Sequence, residues 1–292
     1  MKQIFLTLSA GRSGTQKLSK LLSQIPNTYA EHEGTPGFET VRIPNLKTPS
    51  VGAAFVKDKL AYWNSLPQNN IAHTGHIAGL GFYDHILDQG IVPNIIILRR
   101  PMREVALSMY KLNWIPGLVK LIDPWYCSPA EEGVLEYPDW KTAHPYQLCY
   151  WWCLDSEQRI QHYKYVFEAY GSKIHETTLA GILDIRCFNN MLTRFGLQNV
   201  AELSTERVNN YEAVKHFPVH KDIPPLDYLT KLEAEVVEKT GYELPTIQTV
   251  DVESAAQVTT EVFVNTCRFI AYSVRESDIR TSAYIKPLSL EL

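Results

Sequence analysis

The stretch Pro93–Leu98, PNIIIL, constrains this chain most. A strand with one wet face alternates apolar and polar residues, whereas Ile95, Ile96, Ile97 and Leu98 leave no polar side for water. Both faces must therefore be covered. The usual way to cover both is a central parallel strand with helices packed above and below.

The rest of the chain repeats a strand-then-helix rhythm. QIFLTLS (3–9) predicts a strand, and Leu18, Leu21, Leu22 and Ile25 then recur at helical spacing. NTYAEHE (27–33) reads as a short extended segment, and residues 69–90 as a strand, a turn and a helix. RRPMREVALSMYKL (99–112) turns helical after the isoleucine run. PYQLCYWWCLDSEQRIQHYKYVFEAYG (145–171) predicts a long amphipathic helix stopped by Gly171. SKIHETT (172–178) predicts a further strand, LAGILDIRCFNNMLTRFGL (179–197) one helix ending at Gly196, and residues 224–241 another helix. Residues 34–69 are rich in Pro, Gly and Asn and read as a surface insertion with a short helix around 53–63. Residues 113–145, dense in Pro and aromatic side chains, read as a lid or substrate segment. The stretch 245–292 reads as a C-terminal extension, and its short apolar runs do not separate strand from helix. The expected architecture is a three-layer α/β fold, one domain over residues 1–292 with a parallel sheet between helices.

Composition narrows the partners. A chain of 292 residues with 45% hydrophobic and 21% charged residues has material for a sizeable core. A net charge of -4 gives no general attraction to nucleic acid or to an anionic membrane, so any anion site must be local. The apolar run of MKQIFLTLSA is short for a secretory leader and reads better as the first strand, and no run is long enough to span a bilayer. Five cysteines at 127, 149, 153, 187 and 267 show neither zinc-ligand spacing nor a secreted disulfide framework. Cys149 and Cys153, one helical turn apart, suit packing, and a cytoplasmic setting is the expectation.

Two strand ends carry the chemistry. Between the first strand and first helix lies SAGRSGTQK (9–17). Helix N-terminal amides there lack intrahelical partners, Gly11 and Gly14 allow close approach, Ser13 and Thr15 offer hydroxyls, and Arg12 adds a fixed fork of donors. The loop suits a phosphate or sulfate. It is not a Walker loop, because Gly14 is followed by Thr15 and Gln16 and the first glycine position holds Ser9. At the end of the isoleucine strand, Arg99 and Arg100 stand with Ser108 two helical turns on, where open α/β sheets bind ligands. Two such sites suggest one ligand with two anionic ends. An adenine nucleotide bearing a 3′-phosphate and a 5′-phosphosulfate has that shape.

In these two segments the chain resembles the sulfotransferases that use 3′-phosphoadenosine 5′-phosphosulfate (PAPS). Arg12, Ser13, Gly14 and Thr15 match their 5′-phosphosulfate loop, with Gln16 in place of a second threonine. Arg100 and Ser108 match the spacing of their 3′-phosphate motif, although Pro101 follows the arginine directly and Arg99 competes for the role. The resemblance implies a P-loop-like sulfotransferase fold, PAPS as donor, PAP as product, no metal, and transfer to a hydroxyl or amine of a small-molecule acceptor. It implies that Arg12 supports the leaving group and that Ser13, Gly14, Thr15, Gln16, Arg99 or Arg100, and Ser108 bind the nucleotide. Lys17 reads as a solvated helix lysine.

Two regions compete for the base. His32 and Glu33 match the His-Glu dipeptide that bacterial relatives carry after the second strand, and Glu33 is preferred because a carboxylate facing arginines needs no burial to function. His73 and His76 lie near the catalytic histidine position of cytosolic relatives. Trp151, Trp152 and Tyr211 are candidates for clamping adenine, although aromatics at helical spacing usually pack in the core, and Arg207 or Lys215 for returning to the 3′-phosphate. Trp114, Trp125, Tyr126 and Tyr137, with Glu131, Glu132, Glu136 and Asp139, would suit a compact and cationic acceptor, with a solvated acidic loop as the blander reading. The competing functions are a P-loop nucleotide kinase or phosphotransferase and a nucleotide-binding scaffold without turnover.

Overall fold

In the computed structural model, which describes residues 2–204 and 222–243, the isoleucine run is covered on both faces. Ile95, Ile96, Ile97 and Leu98 are at most 1% exposed. They belong to β4 (Asn94–Arg99), one of five parallel strands with β1 (Gln3–Leu8), β2 (Thr28–Glu31), β3 (Asn70–His73) and β5 (Ile174–Thr178), in the order β2-β3-β1-β4-β5. Leu6 of β1 aligns with His73 on one side and Ile95 on the other.

The helices are α1 (Thr15–Leu22), α2 (Glu39–Lys47), α3 (Pro49–Ser65), α4 (Tyr83–Asp88), α5 (Met102–Lys111), α6 (Pro145–Ala169), α7 (Leu179–Leu183), α8 (Ile185–Phe195) and α9 (Leu226–Thr240). Alternation along β1 sorts them into layers. Ile4, Leu6 and Leu8 face one core with α3, α4, α5, α6 and α9. Phe5, Ile96 and Leu98 face the other with α1 and α8, through Leu18, Leu21, Leu22, Phe188 and Met191. The three-layer α/β architecture expected from the sequence is the one observed.

The topology also places the site. From β1 the chain leaves through α1 toward β2 on one face. From β4 it leaves through α5 and α6 toward β5 on the other. The loops part between the carboxyl ends of β1 and β4, which is where a doubly wound sheet opens its crevice.

Three local readings change. Residues 34–69 are not a surface insertion: they supply α2 and α3, and Arg42, Lys59 and Trp63 are each no more than 2% exposed. The helix expected over 179–197 is two helices, broken at Asp184. That residue is extended, and its carboxylate accepts the amides of Arg186 and Cys187 at 2.9 and 3.0 Å, capping α8. The first half of α6 is buried almost all round from Tyr146 to Glu157 rather than amphipathic, because it packs against both α5 and α9. No helix among the described residues is long and apolar enough to cross a membrane. The extension 245–292, Arg207, Tyr211 and Lys215 lie outside the described residues.

Candidate functional site

The loop after β1 is built around left-handed backbone. Gly11, Arg12 and Gly14 have φ of 75°, 50° and 98°. Gly11 lies over the His76 ring, which a Cβ would meet at 3.1 Å, and a Cβ on Gly14 would stand 2.5 Å from Leu179. At both positions a side chain would be strained by the left-handed backbone and pressed on a neighbour, and glycine lets the chain curl tightly into α1. The curl is fastened from several sides. The Trp152 indole donates to the Ala10 carbonyl at 2.8 Å, the Ser13 hydroxyl to Gly11 O at 2.9 Å, and the Thr74 hydroxyl to Thr15 O at 2.9 Å. Gly14 caps α1 without any side-chain acceptor for the first amides.

Arg12 projects from this curl toward α5. Its Nε donates to Ser108 Oγ at 3.2 Å, and its guanidinium carbon lies 5.0 Å over the Trp114 ring. Among the described residues no carboxylate forms an ion pair with it. Arg100 closes the arrangement, donating from Nη1 to the Arg12 carbonyl at 3.1 Å, with Glu104 as an exposed partner one helical turn on. The β1 and β4 loops, more than eighty residues apart in sequence, thus meet through Arg12, Arg100 and Ser108.

Arg99 is spent elsewhere. It pairs with Glu157 at 2.9 Å and with Glu176 of β5, and these carboxylates outweigh the opposing effect of burial and raise its pKa. Of the two competing arginines, only Arg100 contacts the anion loop. Lys17 turns away from the loop, donating to Ser204 O at 2.6 Å.

The end of β2 supplies the carboxylates. Glu31, at 6% exposure, accepts from Lys59 at 2.8 Å, the Trp63 indole at 3.0 Å, the Tyr29 hydroxyl at 3.1 Å and His73 Nδ1 at 3.3 Å. Burial pushes its pKa up, but His73 and Lys59 outweigh that and hold it at about 2. Two residues on, Glu33 has φ 64° and a half-buried side chain. Burial, and then the charge of Glu39, raise its pKa against the opposing pull of Trp125 and Arg12. His32 lies between them, its Nε2 3.6 Å from Glu33. Burial, followed by the neighbouring His76, His73 and Arg12, pushes His32 down to about 3.

His76 is a floor rather than an exposed base. Its ring supports Gly11 and packs on Tyr126 and Trp152, and Nε2 donates to the Trp125 carbonyl at 3.0 Å. Burial lowers its pKa to about 4, so it is neutral at physiological pH. His73 is engaged with Glu31. Trp151 and Trp152 are fully buried, with their indoles committed to the Leu135 and Ala10 carbonyls, so neither is free to clamp an adenine. The acidic residues of 113–145 divide: Glu131 neutralises the buried Arg42, while Glu132 and Glu136 face solvent. Glu131 is therefore no free counter-charge for a cationic acceptor.

Sequence reasoning passed over Glu31, Lys59, Trp63 and Glu39. Lys59 and Trp63 are an i, i+4 pair on one face of α3, which was a usable signal; their common partner on β2 was not visible from spacing.

Fold and site together define a doubly wound α/β protein with Arg12 and Arg100 at the crevice between β1 and β4. Searches found no family model and no curated protein that matches the chain. Solved structures of similar fold include two sulfotransferases. One is a sulfotransferase domain from the curacin biosynthetic pathway (TM-score 0.45, 15% identity, 84% of this chain and 99% of that one). The other is a sulfotransferase from Alicyclobacillus acidocaldarius (TM-score 0.47, 14% identity, 84% and 98%). Both scores are below 0.5, and the likeness carries no functional inference.

Proposed function

We propose that this chain is a sulfotransferase that moves a sulfuryl group from PAPS to a hydroxyl or amine of a small-molecule acceptor. The observation that carries the reading is the meeting of the β1 and β4 loops: Arg12, without a carboxylate partner among the described residues, bonded to Ser108, with Arg100 bonded to the Arg12 carbonyl. A crevice with two neighbouring cation-and-hydroxyl sets suits a ligand with two anionic ends.

The residues fit such a nucleotide. Gly11 and Gly14 give the loop left-handed backbone, and α1 presents its N-terminal amides uncapped by any side chain, a pattern that suits an oxyanion. Arg12, Ser13, Gly14, Thr15 and Gln16 would hold the 5′ end, and Arg100 and Ser108 the 3′-phosphate. The nucleotide supplies the sulfuryl group and leaves as a bisphosphate. Arg12 then neutralises negative charge growing at the 5′ end, a preorganised donor in a partly dry site.

Glu33 is the base in this reading. Its Oε atoms take the acceptor proton, and a carboxylate with a raised pKa holds that proton better than an exposed one. His32, neutral at physiological pH, is placed beside Glu33 to orient the acceptor, and His76 supports the loop from below.

The test is transfer of radiolabelled sulfate from PAPS across a panel of hydroxyl and amine metabolites. A labelled acceptor dependent on Arg12 is the expected result. Phosphate transfer from ATP, or nucleotide binding without transfer to any acceptor, would overturn it.

A further inference from the structure

The turn that carries His32 and Glu33 is wrapped round a buried carboxylate. Gly34, φ 70°, sits so close to Glu31 that a Cβ there would fall 2.3 Å from its Oε2, and Gly34 N donates back to His32 O at 2.7 Å. Thr74 holds the entrance to the turn, its amide donating to Glu31 O at 2.9 Å. One side chain spans the whole turn. Lys59 Nζ, on α3, lies 2.8 Å from Glu31 Oε1 before the dipeptide and donates to Pro36 O at 3.0 Å after it. Lys59 is 2% exposed, an environment that accepts an ammonium only when its hydrogen bonds are satisfied.

We infer that Lys59 is a positioning residue for Glu33: by bonding both ends of residues 31–36 it fixes the left-handed turn that aims the Glu33 carboxylate into the crevice. Two other features agree. His73, the Trp63 indole and the Tyr29 hydroxyl complete the donors on Glu31, so the turn is anchored to α3 and β3 as well. Glu39 and Arg12, the charged groups that act on Glu33, stand on separate elements, and Trp125 bonds the carboxylate only where the turn presents it. A turn released from Lys59 carries Glu33 away from its bond to Trp125, and misplacement by about 1 Å costs a catalytic group about a hundredfold.

The inference rests on Glu33 being the base, but its position can be read without turnover. The working variant is the pair Lys59→Met with Glu31→Gln, which removes both buried charges together. The measurements are the Glu33 carboxyl titration by carbon NMR, assigned with Glu33→Gln, and the affinity for adenosine 3′,5′-bisphosphate. The expected result is a folded protein with unchanged bisphosphate affinity, a Glu33 pKa that falls toward that of an exposed carboxylate, and about a hundredfold lower sulfate transfer. Should that pair fail to fold, Lys59→Gln keeps one donor, and the same downward move is expected in smaller measure. A Glu33 titration identical to wild type in a folded variant overturns the positioning role. Failure of the wild-type protein to bind the bisphosphate overturns the sulfotransferase reading instead, and the titration still decides the role of Lys59.

Discussion

The ends of β2 and β4 each carry two like charges close together, and in each the fold treats the two differently. At β2, Glu31 is buried among Lys59, His73 and Trp63, while Glu33 faces the crevice with its pKa raised. At β4, Arg99 is paired with Glu157 and Glu176, while Arg100 reaches the anion loop. One member of each pair is held by buried partners inside the molecule, and the other stands at the crevice, where the proposed function uses it. The charge itself does not separate the two members; a buried counter-charge does, since Arg99 has Glu157 whereas Arg100 has only the exposed Glu104.

Glu33→Gln should break this contrast most sharply. Against an acceptor found by the transfer screen, turnover is expected to fall about a thousandfold, with bisphosphate affinity unchanged. Glu31→Gln should act on stability instead. Glu31 is held at about 2 against an ordinary 4.5, so its stabilisation is fully present above about pH 4.5 and is lost as pH falls toward 2. Glu33 has the opposite sign: its raised pKa favours the folded state below the ordinary carboxylate range, and that contribution is lost as pH rises through the folded value. Denaturant melts of wild type and Glu31→Gln between pH 2 and pH 7 should therefore converge at low pH, after differing by roughly 3 kcal/mol at neutrality.

The arginines sharpen the contrast further. Arg99→Ala leaves the buried Glu157 short of its partner and should cost about 2 kcal/mol of stability with little change in nucleotide affinity. Arg100→Ala, on a partly exposed side chain, should leave stability within about 0.5 kcal/mol while weakening bisphosphate binding about tenfold. Melting and calorimetric titration of both variants check the pair.

The legible parts were those governed by local rules. The isoleucine run declared a strand buried on both faces, and Gly11, Arg12, Ser13 and Gly14 declared a tight strand-to-helix turn. Both readings rest on steric and hydrogen-bonding demands that act within a few residues. What stayed hidden depends on distant partners. Arg99 and Arg100 look alike in sequence, and only Glu157 and Glu176 separate them. Lys59 and Arg42 fall in the stretch 34–69 that reads as a surface insertion, and their counter-charges, Glu31 and Glu131, are 28 and 89 positions away. His76 matched a base by position, but the Trp125 carbonyl that occupies its Nε2 comes from the segment 113–145, far along the chain.

The central claim, that the crevice between β1 and β4 holds a nucleotide with two anionic ends, is tested most directly by calorimetric titration. Adenosine 3′,5′-bisphosphate and ATP with magnesium would each be titrated into wild type and Arg12→Ala. The expected result is preference for the bisphosphate, with affinity falling by about a factor of thirty in Arg12→Ala as one charge-assisted contact is lost. Preference for ATP, or equal bisphosphate binding by the two proteins, would contradict it.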